Sequence, residues 1–168
     1  TDAVQAYGVI DLNVSNLQVD LLSVSAHKLN GPKGIGFLYA KQGTKRHPLL
    51  VGGSQEKKRR AGTENIASTI GFAKAVELAL AKREEKAAEY TKFKQLLIEQ
   101  LKKENIDFKV NGHETDVLPH VLNIMFNGTD VESFLINLDM AGVLVSSGSA
   151  CTSGSLDPSH VLLAIGLP

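Results

Sequence analysis

The 168 residues are 43% hydrophobic and 21% charged, with no tryptophan, the composition of an ordinary globular chain of one domain or a domain and a half. A formal net charge of zero and a pI near 6.9 leave no electrostatic footprint for nucleic acid or an anionic membrane, and no apolar run approaches the roughly 18 to 20 residues of a membrane span. The single cysteine, Cys151, excludes an internal disulfide and fits a reducing, cytoplasmic setting.

The opening, "TDAVQAYGVIDL", does not read as a secretory signal. It lacks an initiator methionine, and "SHVLLAIGLP" stops right after a helix-like segment; both ends are those expected of a piece cut from a longer protein. In chain order, Val4–Ile10 reads as a weakly apolar strand, Val19–Val24 as a short buried strand, and Ile35–Ala40 as another. Gly31, Pro32, Gly34 and Gly36 punctuate the joint between the last two. The polar stretch from Lys41 to Arg60 holds four consecutive basic residues, and Thr63 or Asn65 offers a cap for the next helix. A long helical region is predicted from about Glu64 to Glu104, with Ile66, Ile70, Ala73 and Val76 at helical spacing and Tyr90, Phe93, Leu97 and Leu101 repeating the pattern. The charged run "AKREEKAAEYTKFK" inside it marks a bend or a solvent crossing. Beyond lie a strand at Asp107–Val110, a turn at "NGHE", a strand at Val121–Asn127, a helix at about Asp130–Ala141, and a short "VLVSS" strand. A Gly/Ser-rich loop then leads to a last helix opened by Pro158. No internal repeat is visible. A strand-rich front end therefore precedes a small α+β lobe that begins after about residue 84.

Four residues invite chemistry, each with a plainer reading beside it. Lys28 follows an apolar strand and precedes a glycine-rich joint. A free lysine has a pKa near 10.4 and is a poor nucleophile, but at a strand end in a partly desolvated pocket it condenses with an aldehyde, and lysine is the residue that holds pyridoxal phosphate as a Schiff base. Ser25 and His27 beside it suit a phosphate; a solvated loop lysine is the alternative. Asp2, three residues before Gln5, suits a protonated pyridine nitrogen, or is a solvated acid near a frayed end. Thr63 lies where a helix begins, where unpaired N–H groups favour an anion; it is equally a plain cap. Cys151 sits in "SSGSACTSGS", with no lysine, arginine or histidine before His160 to lower its pKa. Free cysteines are usually buried and inert, whereas a thiol on a small-residue loop is exposed and can travel.

Taken in order and at these separations, "DAVQ", "SVSAHKLNGPKGIGFLY", "GGSQEKKRRAGTEN" and "VSSGSACTSGSLDPSHVL" resemble the cysteine desulfurases, fold-type I pyridoxal-phosphate enzymes that take sulfur from L-cysteine. The resemblance covers essentially the whole chain, and the blocks around Lys28 and Cys151 are its specific parts. It implies an α/β fold in which residues 1–83 form the C-terminal portion of the large cofactor-binding domain. Residues 84–168 would form a small α+β domain carrying the cysteine loop, cut short at its C-terminus. It further implies that Lys28 holds pyridoxal 5'-phosphate and later acts as acid and base. Asp2 would pair with the pyridine nitrogen, Gln5 with the ring hydroxyl, and Ser25 and His27 with the phosphate. Thr63 would reach the phosphate of a partner subunit, making a homodimer. Cys151 would attack the substrate sulfur, leaving a cysteine persulfide and alanine. The long Ser146–Pro158 loop suits delivery of that persulfide to an iron–sulfur scaffold or a tRNA-thiolation protein. No metal, membrane or direct nucleic-acid contact is implied.

Departures are also visible. Ala61 stands where the family has serine, and "GGSQEKKRR" is more basic than usual. The phosphate-binding loop, the stacking aromatic residue and the carboxylate-binding arginine of the family have no counterpart here. On that ground the alternatives are an inactive truncated product acting at most as a binding module, or a related selenocysteine lyase.

Overall fold

A computed structural model describes residues 1–147 and 159–167. The chain divides into two units: Thr1–Lys94 with Leu118–His120, and Gln95–Val117 with Val121–Pro168.

The first unit is built on β1 (Leu21–Ser25), paired antiparallel with β2 (Gly36–Ala40) so that Leu22 faces Tyr39 and Val24 faces Phe37. The other edge of β1 is taken by Thr1–Ala3, which runs parallel to it. There the Ala3 N–H donates to the Ser23 carbonyl at 2.9 Å and the Ser23 N–H to the Thr1 carbonyl at 3.1 Å. The period-2 alternation of a strand sends Leu22 and Val24 inward, where with Ala3, Ala26 and Phe72 they form the core. A single helical turn, α1 (Val14–Leu17), is capped by Asn13, whose Oδ1 accepts the Ser15 N–H at 2.9 Å.

Val4–Ile10, expected as a strand, is instead a series of turns. The Ala6 and Tyr7 amides return to the Ala3 carbonyl, and those of Val9 and Ile10 to the Ala6 carbonyl. Both edges of β1 are already occupied, so no ladder is open to this segment, and Gly8 at φ +77° bends it back. After β2 a polar loop contains one turn, α2 (Gln55–Lys58), whose Glu56 and Lys57 are left-handed, at φ 49° and 58°. Next come α3 (Ile66–Ala81) and α4 (Arg83–Lys103), separated at Lys82, where the expected bend falls. Asn65 caps α3, its Oδ1 accepting the Ser68 N–H at 3.1 Å. The face that α3 buries is Phe72 and Ala75, whereas Ile66 and Ile70 are about two-thirds exposed, at 64% and 66%.

In the second unit β3 (Phe108–Asn111) and β4 (Asn123–Phe126) pair antiparallel, with Phe108 opposite Phe126. Helix α5 (Val131–Met140) is capped by Asp130, whose Oδ2 accepts the Ser133 N–H at 2.9 Å, and it packs through Phe134, whose ring lies 5.0 Å from that of Phe126. The expected strand over residues 143–147 does not form. The Val143 N–H is taken at 2.8 Å by the Leu138 carbonyl at the end of α5, and Leu144 points outward at 85% exposure. The last helix, α6 (His160–Ala164), follows Ser159; Pro158, expected to open it, lies outside the described residues. Among the described residues no helix is long and apolar enough to cross a membrane.

Candidate active site

The site begins where β1 ends. Ser25 closes the strand, and a 3-10 turn, Ala26–Leu29, comes directly after it. In such a turn residues three apart lie on one side. Ala26 is fully buried and Leu29 packs against the core, so His27 and Lys28 are turned outward. The turn is locked from both sides: the Ala26 N–H donates to the Ile35 carbonyl at 3.0 Å, and its carbonyl accepts the Asn30 and Gly31 amides. Asn30 takes the left-handed conformation, φ 60°, that ends the turn, a conformation asparagine tolerates better than most residues.

Asp2 arrives at the same strand by the parallel pairing, bridged to Ser23, and its Oδ1 accepts the Val4 N–H at 2.8 Å. Gln5 lies on the turn beyond it. Asp2, Gln5, Ser25, His27 and Lys28 are thus gathered on β1 and the segment beside it. Asp2, Gln5, His27 and Lys28 are exposed and Ser25 half-buried. The partly desolvated pocket expected around Lys28 is not formed by these residues alone. Among the described residues no hydrogen bond occupies the Lys28 ammonium, the His27 ring or the Ser25 hydroxyl.

Thr63 is placed differently. It lies two residues before the Asn65 cap of α3, so the cap role belongs to Asn65. Its loop is closed by the Ala61 N–H on the Leu50 carbonyl at 3.1 Å and by the Gly62 N–H on Gln55 Oε1 at 3.2 Å. No hydrogen bond joins Thr63 to the Lys28 turn among the described residues. Cys151 lies outside the described residues.

Three glycines, of which the sequence singled out only Gly31 as punctuation, lie where the lysine turn and the segment before it meet α3. An ideal Cβ on Gly31 would lie 3.0 Å from the Ala75 Cβ, and one on Gly71 would lie 2.8 Å from Cγ of Pro32. One on Gly8 would lie 2.9 Å from Cδ2 of Leu29 and 3.0 Å from the Ala79 Cβ. The sequence signal for the α3 side of these contacts is the repeat Gly71, Ala75, Ala79 at four-residue spacing along the helix.

A lysine, a hydroxyl and an imidazole thus succeed one another at the end of β1, with a carboxylate on the segment bridged to that strand. The family model described as aminotransferase class-V matches residues 1–166, and the chain belongs to that family. It is 56% identical over 165 residues to a Bacillus subtilis (strain 168) protein provisionally named cysteine desulfurase IscS 1, covering 98% of this chain and 44% of that one. It is 51% identical over 168 residues to the cysteine desulfurase IscS of Dictyoglomus turgidum (strain DSM 6724 / Z-1310), covering 100% of this chain and 43% of that one. Among solved structures it is similar to the NifS-like protein from Rickettsia africae ESF-5, with a TM-score of 0.84 and 31% identity over 99% of this chain and 43% of that chain. The α/β fold is therefore part of the fold of those proteins, and the chain spans less than half the length of the curated relatives it matches.

Proposed function

We propose that the intact protein containing this chain is a pyridoxal-5'-phosphate-dependent cysteine desulfurase, converting L-cysteine to L-alanine and a persulfide on Cys151. The observation that carries the reading is the turn at the end of β1, where Ser25, His27 and Lys28 succeed one another, with Asp2 on the segment bridged to that strand. The donor set fits the cofactor: an amine for its aldehyde, a hydroxyl and an imidazole for its phosphate, and a carboxylate for its ring nitrogen. Asp2 accepts the Val4 amide through Oδ1, so Oδ2 is left to accept a hydrogen bond from the protonated ring nitrogen.

When bound, the cofactor supplies an electron sink for bond cleavage at the substrate. Lys28 Nζ would hold it and would move the proton at the substrate Cα. The Asp2 carboxylate keeps the ring nitrogen protonated, and Gln5 donates to the ring hydroxyl. Ser25 and His27 donate to the phosphate, and Thr63 donates to the phosphate of the partner subunit in a homodimer. The Cys151 thiolate forms a bond to the substrate sulfur as the carbon–sulfur bond breaks, and the carbon takes a proton to give alanine. Pairing of two copies is supported by Leu49, Leu50 and Val51, which stand 98%, 53% and 79% exposed beside the Thr63 loop. The persulfide goes to an acceptor protein for iron–sulfur cluster assembly or tRNA thiolation, in the cytoplasm. Residues 1–83 belong to the cofactor-binding domain and residues 84–168 to the small one carrying the cysteine loop.

Incubation of the intact protein with L-cysteine under a fixed concentration of reductant tests this. Alanine release and a persulfide on Cys151 by mass spectrometry are expected, and Cys151→Ser abolishes both. Undiminished alanine release in Cys151→Ser would remove the thiol from the mechanism.

A further inference from the structure

The lysine turn touches α3 through its smallest residues. Ala75 is buried, 7% exposed, and a Cβ on Gly31 would lie only 3.0 Å from its Cβ; a Cβ on Gly71 would come closer still, 2.8 Å from the Pro32 ring, where something must shift. Ala79, one further turn along, meets Gly8, which in turn abuts Leu29, the residue directly after Lys28. Side chains at this spacing lie on one face of a helix, so Gly71, Ala75 and Ala79 form one ridge with Pro32, Gly31 and Gly8 seated along it. Gly71 is in the middle of α3, where glycine is a poorer helix former than alanine. Helix formation alone therefore favours alanine at 71, and the close approach of Pro32 is the reason a glycine serves there.

From this contact we infer that Gly71 is a positioning residue, setting through Pro32 where the Lys28 turn sits and hence where the Lys28 amine meets the cofactor. The inference rests on the reading of Lys28 as the cofactor lysine. Pro32 comes after Gly31, whose amide helps close the turn on the Ala26 carbonyl. A ring displaced by a Cβ at 71 transmits its shift to that closure over a few bonds. Displacements on the order of 1 Å at a reacting group are costly, up to roughly 10²-fold.

The test uses the intact protein loaded with pyridoxal 5'-phosphate and reads the visible absorbance of the lysine-bound cofactor. For Gly71→Ala, cofactor affinity is expected to fall about tenfold and the pH midpoint of the band to move. Pro32→Ala removes the struck Cγ and Cδ atoms without crowding anything. In the double variant, both affinity and pH midpoint should therefore return to those of Pro32→Ala alone. Wild-type affinity and midpoint in Gly71→Ala overturn the inference, as does a double variant no better than Gly71→Ala. Should Gly71→Ala not fold, recovery of folding and of the band in the double variant supports the contact, and failure of both overturns it. Lys28→Ala is the separate control: a wild-type band there would sink the cofactor reading itself, whereas its loss beside an unaffected Gly71→Ala sinks only the positioning role.

Discussion

Replacing Phe72 by alanine removes the largest side chain that α3 places in the core of the first unit. Phe72 is 5% exposed, stacks on Phe37 with ring centroids 5.6 Å apart, and belongs to the same cluster as Leu22, Val24 and Ala26. An aromatic side chain buries roughly 150–250 Å², which at about 25 cal/mol/Å² is on the order of 4–6 kcal/mol. Compactness of the unfolded chain reduces that by roughly 10–40%. Alanine retains a little of the remainder, and the unfilled space adds a cavity penalty. The expected loss is about 3–5 kcal/mol, the range found for buried phenylalanine truncations. Urea unfolding of the intact protein, monitored at constant m-value, measures it. Phe72→Leu, which keeps most of the volume, should lose less than about 1.5 kcal/mol. A loss below about 1 kcal/mol in Phe72→Ala would show that α3 is not held to the hairpin by this side chain, and the account of how the Lys28 turn is supported would fail with it.

Three further outcomes rest on contacts of the same kind. Asn65→Ala strips the α3 cap from the Ser68 amide and should cost about 1 kcal/mol in denaturant unfolding, with Asn65→Asp recovering most of it. Gly8→Ala forces a Cβ into a left-handed residue at φ +77° and should cost roughly 1–2 kcal/mol; an unchanged midpoint would refute the strain. Burial, and then the neighbouring Lys94 ammonium, hold the His120 imidazole below its ordinary pKa. As pH falls through about 6.5 the unfolded chain binds this proton first, so stability falls with pH there and levels off below the folded-state value. His120→Gln should flatten that part of the pH profile, and an identical slope in the variant would contradict the assignment.

Much of the first unit was legible in its sequence. Leu22 and Val24 alternate with polar neighbours, and the glycines and proline after them could only punctuate a return, so both strands of the hairpin lie within two residues of expectation. Val4–Ile10 misled because apolar content reports burial and not pairing: whether a strand forms there depends on a free edge, and β2 and Thr1–Ala3 leave none. The inward face of α3 was hidden for another reason. Ile66 and Ile70 are as apolar as Phe72, so periodicity alone does not choose between two oily faces of one helix. The boundary at Lys82 was visible as a change from apolar to charged residues. Of the candidate site, Asp2 was expected beside the Lys28 strand on the strength of an apolar run that turns out not to pair; it arrives there instead through the backbone bridge of Thr1–Ala3, which no side-chain pattern announces. The ridge of Gly71, Ala75 and Ala79 was not open to inspection either, since small residues announce themselves only once the segment they admit is in place. The second unit shows the same limit at residues 143–147, where an apolar run begins with its Val143 amide taken by the end of α5.

The most direct measurement is reduction of the cofactor-loaded intact protein with borohydride, then proteolysis and mass spectrometry of the peptides. A pyridoxyl phosphate adduct on Lys28 is predicted, and it should be lost in Lys28→Ala. An adduct confined to another lysine, or none on the peptide that begins after β1, would contradict the account.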